Sequence, residues 1–269
     1  MKYATDKLTN KSLYRGRVTL VGAGPGDPEL LTVKAIKAIK RATVLLVDDL
    51  VNPEILAHAP SCSRIVQVGK RGGCISTPQS FIEKLMILAA KDGEEVVRLK
   101  GGDPFIFGRG GEEAAHLCAA GIHVEIVNGI TSGLAASTAL GVPLTHRDHA
   151  HGVVLVTGHN RSGESATDWA ALGSAVETCQ LTLVIYMGLA GIADIQSGLL
   201  KTLSSSTPAA VIQHASLPQQ AAVTCTLSTL SQTICENALH SPAIIVIGDV
   251  VAGAQAISNP QTLTATKAA

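Results

Sequence analysis

The chain has 269 residues, 46% of them hydrophobic and 16% charged, with 21 Lys and Arg against 21 Asp and Glu. The length suits two domains of ordinary size better than one core, and a zero formal net charge without a long basic run argues against nucleic acid as a partner. No apolar run reaches the roughly 18 residues of a bilayer span, and the first 15 residues, MKYATDKLTNKSLYR, contain no signal-type apolar stretch; a cytoplasmic protein with no membrane partner is expected.

Residues 1–15 read as a flexible tail. The run RVTLVG then leads into GAGPGD, and residues 32–41 show helical periodicity, with Val33, Ile36 and Ile39 on one face and Lys34, Lys37 and Arg41 on a solvated one. The runs TVLLVD and RIVQV, a helical stretch over 78–91, EVVRL, a second helical stretch over 110–120 and HVEIV follow. Alternation of continuously apolar strands with helices predicts a largely parallel sheet covered on both faces. From about residue 150 the pattern restarts with GVVLVTGH, TLVIYM, PAAVIQH, AAVTCTL and PAIIVIGD, with helical stretches near 188–200 and 228–239 and a surface loop plus short helix over 161–178. Only ASLPQQ separates the third and fourth of these strands, too little for a crossover helix, so they should pair antiparallel within a mixed sheet. The expectation is an α/β protein with an N-terminal domain over 16–149, a C-terminal domain over 150–252 and a second flexible tail over 253–269.

The stretch EVVRLKGGDPFIFGRGGEEA (95–114) is the most informative, because a buried strand runs into five glycines and a proline. Glycines there let the backbone approach a ligand closely. GAGPGD also follows a strand, yet it departs from the dinucleotide fingerprint: the third glycine of G-x-G-x-x-G falls on Asp27, and Pro25 removes a backbone donor. With Asp48 and Asp49 where a ribose-binding acid would stand, a nicotinamide or flavin dehydrogenase is the competing reading. His146, His149 and His151 in HRDHAH lack a further ligand at a metal-site spacing, so no metal is expected. The six cysteines are scattered without a C-x-x-C pair and read as buried apolar residues of a reducing compartment.

The 95–114 stretch resembles the S-adenosylmethionine-dependent tetrapyrrole methyltransferases, and among them the uroporphyrinogen-III C-methyltransferases. GAGPGDPELLT, VDDLV, VGKR, NGITSGLAAS, GVPLTHRD, VTGH, TLVIYMGL and SPAIIVIGDVV match the family's blocks in order, covering about 16–252. The resemblance implies a two-domain fold with the active site in the crevice between the domains, and a homodimer. It implies that Pro25, Gly101, Gly102, Asp103, Ile106, Thr131, Ser132, Met187, Ala215 and Ala243 contact S-adenosylmethionine, whose product is S-adenosylhomocysteine. The family commonly has glycine where Ala215 stands. Asp48 matches the acid of the family's Y-D-x-L-V motif, with Val47 here in place of the tyrosine, and would help remove a proton from the macrocycle; Lys70 would be the proton donor. Arg71, Arg109, Thr145, His146 and Arg147 fall on the substrate side, a local cationic rim suited to an octacarboxylate. The implied reaction is methylation of uroporphyrinogen III at carbons 2 and 7, giving precorrin-2 by way of precorrin-1, an intermediate shared by sirohaem and cobalamin synthesis. The alternative within the same fold is a methyltransferase acting on a later corrin intermediate. Because the first strand begins by residue 17, the dehydrogenase and chelatase module of bifunctional sirohaem synthases is not expected ahead of it.

Overall fold

A computed structural model of the chain describes residues 16–69, 77–159 and 167–253. The chain divides into two compact units: residues up to Gly24 with Pro28–Ile130, and Pro25–Asp27 with the residues from Thr131 onward.

The first unit carries β1 (Arg17–Gly22), β2 (Val44–Val47), β3 (Arg64–Gln67), β4 (Glu95–Lys100) and β5 (His123–Val127) in the order β3-β2-β4-β1-β5, every pairing parallel. Its helices are α1 (Val33–Arg41), α2 (Gln79–Lys91) and α3 (Gly110–Ala119). Strand residues alternate between the two faces. Val21, Leu45, Val47, Val97 and Leu99 pack with Ala35, Ala38 and Ile39 of α1, whereas Val18, Leu20, Val44, Leu46 and Val96 pack with Ile82 and Met86 of α2 and Leu117 of α3. Burial on both faces explains why these strands read as unbroken apolar runs. Thr32 caps α1 through its hydroxyl, which accepts from the Ala35 N–H at 3.1 Å. Of the cations assigned to a solvated face of α1, Lys34 and Arg41 both pair with Glu125 of β5, at 2.9 and 2.8 Å.

The connection from β1 through α1 passes β4 to reach β2, while that from β4 through α3 passes β1 to reach β5. Neighbouring strands whose onward connections leave in opposite directions define a switch point, where the loops at the strand carboxyl ends diverge and leave room for a ligand. In this sheet the switch point lies between β1 and β4, so it is bordered by GAGPGD and GGDPF.

The second unit carries β6 (Gly152–Thr157), β7 (Leu181–Tyr186), β8 (Pro208–Gln213), β9 (Ala221–Thr226) and β10 (Ala243–Ile247) in the order β6-β7-β10-β8-β9. The sheet is mixed: β6 and β7 are parallel, and the β7–β10, β10–β8 and β8–β9 pairs are antiparallel. Helices α4 (Ser132–Ala139), α5 (Trp169–Cys179), α6 (Ile192–Leu199), α7 (Leu230–Glu236) and α8 (Val250–Gly253) complete the unit. Leu183, Ile185, Val211 and Ile245 face Trp169, Val176, Ile195, Leu199, Leu230 and Ile234 of α5, α6 and α7.

Helix α4 packs on β7 and β10. Its sequence, SGLAASTA, is made of small residues with no apolar stripe, so periodicity does not announce it. Close packing does account for it: a Cβ on Gly133 would overlap the Tyr186 hydroxyl and approach Val184 Cγ1 to 2.9 Å. The cysteine expectation is corrected. Cys62, Cys118, Cys179 and Cys235 are exposed, in a turn, near helix ends or on an outward helix face, whereas Cys225 in β9 is half-buried against the apolar cluster of the second unit. Cys74 lies outside the described residues.

Candidate functional site

Three glycine-bearing turns meet at the carboxyl ends of β1, β4 and β5. Gly24 and Gly102 exchange backbone hydrogen bonds, the Gly102 N–H donating to Gly24 O at 2.7 Å and the Gly24 N–H to Gly102 O at 3.2 Å. Both have positive φ, 74° and 66°, a region that side chains disfavour. A Cβ on Gly22 would lie 2.6 Å from Gly102 O, and one on Gly129 would overlap that same oxygen. Backbone therefore packs directly on backbone, leaving the main chain of Gly101 and Gly102 half-buried.

Asp103 fixes this arrangement. Its buried carboxylate accepts from the Phe105 N–H at 2.8 Å through Oδ1, and from Asn128 Nδ2 and the Gly129 N–H, each at 3.1 Å, through Oδ2. The side chain thus ties GGDPF to the turn after β5. Ile106 is half-buried in the same loop. Arg109 has φ 58° and precedes α3; its guanidinium donates to Glu112 at 2.6 and 3.1 Å, and this hydrogen bonding holds its pKa above the ordinary arginine value.

Asp48 follows β2. Its N–H donates to Leu99 O at 3.1 Å, and its half-exposed carboxylate lies 3.1 Å from Arg98 Nη2. Arg98, Lys100 and Glu113 form a buried ionic cluster behind it. Sequence reading passed over these three residues. The available signal was a pair of cations two positions apart in an otherwise apolar central strand, VVRLK, where a charge needs a partner. Lys70 and Arg71 lie outside the described residues.

In the second unit the expected residues gather at one end of the mixed sheet. Thr131 begins α4, and its Oγ1 lies 2.9 Å from the Tyr186 hydroxyl, which also accepts from the Gly133 N–H at 2.9 Å; Ser132 is the next residue. Tyr186 was another residue not singled out from sequence. Met187 directly follows it, half-exposed and with φ 52°. Ile244 pairs with Tyr186 and Ala243 with Gln213, so Ala243 starts β10 where β7 and β8 end. Ala215 lies in the turn after β8, beside His214 and Ser216, which both have positive φ. The Asp27 N–H donates to Ser216 Oγ at 3.2 Å, and a Cβ on Gly26 would come within 2.6 Å of Leu217 Cγ, so the Pro25–Asp27 loop rests on the turn containing Ala215.

Thr145, His146 and Arg147 form an exposed turn. His146 and Ala150 exchange backbone hydrogen bonds of 2.9 Å, and His146 Nδ1 accepts from the Asp148 N–H at 3.1 Å. Among the described residues, no group of three or more His, Cys, Asp or Glu is placed to hold a metal ion, and no helix is long and apolar enough to cross a membrane.

Residues 17–231 match the family model of the tetrapyrrole (corrin/porphyrin) methylases. A uroporphyrinogen-III C-methyltransferase of Pseudomonas aeruginosa is 53% identical over 251 residues, which span 93% of this chain and 99% of the relative. The crystal structure of a uroporphyrin-III C-methyltransferase from Thermus thermophilus, complexed with S-adenosylhomocysteine, superposes with a TM-score of 0.75 at 40% identity, covering 89% of this chain and all of that one. The cobalamin-biosynthetic cobalt-precorrin-4 methyltransferase superposes with a TM-score of 0.77 at 27% identity, covering 88% of this chain and 96% of its own.

Proposed function

The chain belongs to the tetrapyrrole (corrin/porphyrin) methylases, and on that premise we propose that it methylates uroporphyrinogen III at carbons 2 and 7, giving precorrin-2 by way of precorrin-1. The observation that carries the reading is the switch point between β1 and β4, bordered by the half-buried main chain of Gly101 and Gly102, with Asp48 directly following the neighbouring strand β2. A methyl donor needs to be held along its length and kept from water, while the carbon nucleophile is the substrate's own.

S-adenosylmethionine supplies an electrophilic methyl group on a sulfonium. In the first unit the residues present fit such a ligand, with half-buried peptide groups at Gly101 and Gly102 and the apolar side chain of Ile106; Thr131 and Ser132 are further proposed contacts. Pro25, Asp103, Met187, Ala215 and Ala243 complete the proposed contacts. Asp48, half-exposed and paired with Arg98, acts as the base that takes a proton from the macrocycle after each methyl transfer. Lys70 is the proposed proton donor. Arg71, Arg109 and Arg147 receive substrate carboxylates, with Thr145 and His146 beside them. Because Glu112 already occupies the Arg109 guanidinium, a carboxylate there would share or displace that partner.

The reading is tested by anaerobic incubation with uroporphyrinogen III and methyl-labelled S-adenosylmethionine, followed by mass analysis of the tetrapyrrole. Gain of two methyl groups is expected. Transfer only to a later corrin would move the substrate assignment to the alternative; no transfer to any tetrapyrrole would overturn the activity. The same reading includes a cytoplasmic homodimer. A sedimentation mass of one chain would remove the dimer, and recovery with the membrane fraction would remove the location.

A further inference from the structure

Strand β4 places two cations on one face. Arg98 and Lys100 are two residues apart, so both project toward the side covered by α2 and α3, and they are 2% and 4% exposed. Both meet one anion, the fully buried Glu113 of α3. Its Oε1 lies 3.4 Å from Arg98 Nε and 3.2 Å from Lys100 Nζ, and it accepts from Gln79 Nε2 at 2.8 Å. Its Oε2 is buried with no hydrogen-bond partner among the described residues. Two cations against one anion leave this buried trio one positive charge in excess, and the other edge of the guanidinium supplies the balance: Arg98 Nη2 stands 3.1 Å from Asp48 Oδ2.

A second contact fixes the register. Leu99 O accepts from Arg98 Nη1 at 3.3 Å and also from the Asp48 N–H at 3.1 Å. The carbonyl that anchors the backbone of Asp48 therefore also anchors the guanidinium that holds its carboxylate. An arginine gripped only at Asp48 would keep several rotamers; gripped at Nε by Glu113 and at Nη1 by the strand, it keeps one.

We propose that Glu113 is a positioning residue for turnover: by holding the Nε edge of Arg98 it sets the Nη2 edge that orients the Asp48 carboxylate for proton removal. The proposal rests on the reading of Asp48 as the base. Burial, and after it the charge of Arg98, holds the Lys100 ammonium below the ordinary lysine pKa, while Glu113 and Asp48 act in the opposite direction. Glu113 is thus the group that keeps two adjacent cations in a dry site.

The test is a mutant cycle on the full chain, read as kcat, KM for uroporphyrinogen III, and the dissociation constant of S-adenosylhomocysteine. Glu113→Gln keeps the shape and removes the charge. It should lower kcat on the order of ten- to a hundredfold, as expected for a misplaced catalytic group, with cofactor binding unchanged within about twofold. In an Asp48→Asn background the same change should cause no further loss. Losses that multiply in the double variant, or an undiminished kcat in Glu113→Gln, would overturn the role of Glu113 and leave Asp48 as the base. Normal turnover by Asp48→Asn alone would instead overturn the reading of Asp48, and this proposal with it. Should Glu113→Gln fail to fold, Lys100→Met/Glu113→Gln removes the buried pair together and is held to the same kcat and non-additivity criteria.

Discussion

The two units finish their strands by different physical means. In the first, glycine backbone packs on glycine backbone at the ends of β1, β4 and β5, and a buried ionic cluster stands beside it. In the second, Gly158 and Gly188 also approach closely after β6 and β7, but residues with side chains, Met187, His214 and Ser216, take positive φ after β7 and β8, and the polar links are neutral ones through Tyr186. A site built from packed backbone and buried charge tolerates neither added bulk nor the loss of one partner. A site built from hydroxyls at the end of an interior strand should lose single hydrogen bonds one at a time.

The largest contrast should come from charge. Arg98→Met leaves Glu113 without its guanidinium and Asp48 without its ion pair, and breaking one side of a buried pair costs about 3–5 kcal/mol. Denaturant unfolding should show that loss, and hydrogen exchange should place the loss of protection in β4 and β2, with β7 and β10 little changed. Equal deprotection of both sheets would mean that the units do not respond separately. Next is Gly129→Ala, whose Cβ would overlap the Gly102 carbonyl oxygen, with every near neighbour a backbone atom. Overpacking of this kind costs about 1–3 kcal/mol, and it should weaken S-adenosylhomocysteine binding as well. Gly111→Ala, whose Cβ meets nothing within 4 Å, is the control for simply adding a methyl group. Similar losses in both variants would show that the close approach is not what matters.

The same difference decides what the amino-acid pattern could reveal. Continuous apolar runs mark buried strands, and the parallel first sheet follows from them, as does the antiparallel β8–β9 pair from a connection too short to cross over. Glycine clusters mark the backbone turns. The helix α4 and the Tyr186 hydroxyl were not legible, because small residues carry no periodicity and one tyrosine in an apolar strand looks like core. The partnership of Arg98, Lys100 and Glu113 was equally hidden: their spacing in the chain says nothing about α3 folding back over β4. Ala215 and Ala243 would each pass for ordinary core residues, and only the family resemblance singles them out.

Tyr186→Phe examines the neutral side of the contrast. It removes the acceptor of the Gly133 N–H and the partner of Thr131 Oγ1 while keeping the ring. A buried donor left without a partner costs about 1–3 kcal/mol, so the loss should be smaller than for Arg98→Met and confined to exchange in α4 and β7. A loss matching that of Arg98→Met would erase the distinction between the two sites.

The smallest expected effect concerns pH. His214 is half-buried after β8 with its ring edge-on to His240, the centroids 6.1 Å apart. Burial first, and the neighbouring His240 second, push its pKa below the ordinary value of 6.5. A histidine whose pKa is lower in the folded than in the unfolded chain binds its proton more readily after unfolding. Its contribution to stability is therefore complete above 6.5 and declines as pH falls through that value toward the lower folded one. Asparagine tolerates positive φ better than most residues, so His214→Asn should keep the φ 50° backbone while removing the titration. The difference in denaturation midpoint between about pH 7.5 and about pH 5.5, either side of the ordinary histidine value, should shrink in the variant. Since the ring is only partly shielded from water, the change should be modest. An unchanged difference would assign the acid sensitivity of the protein to groups other than His214.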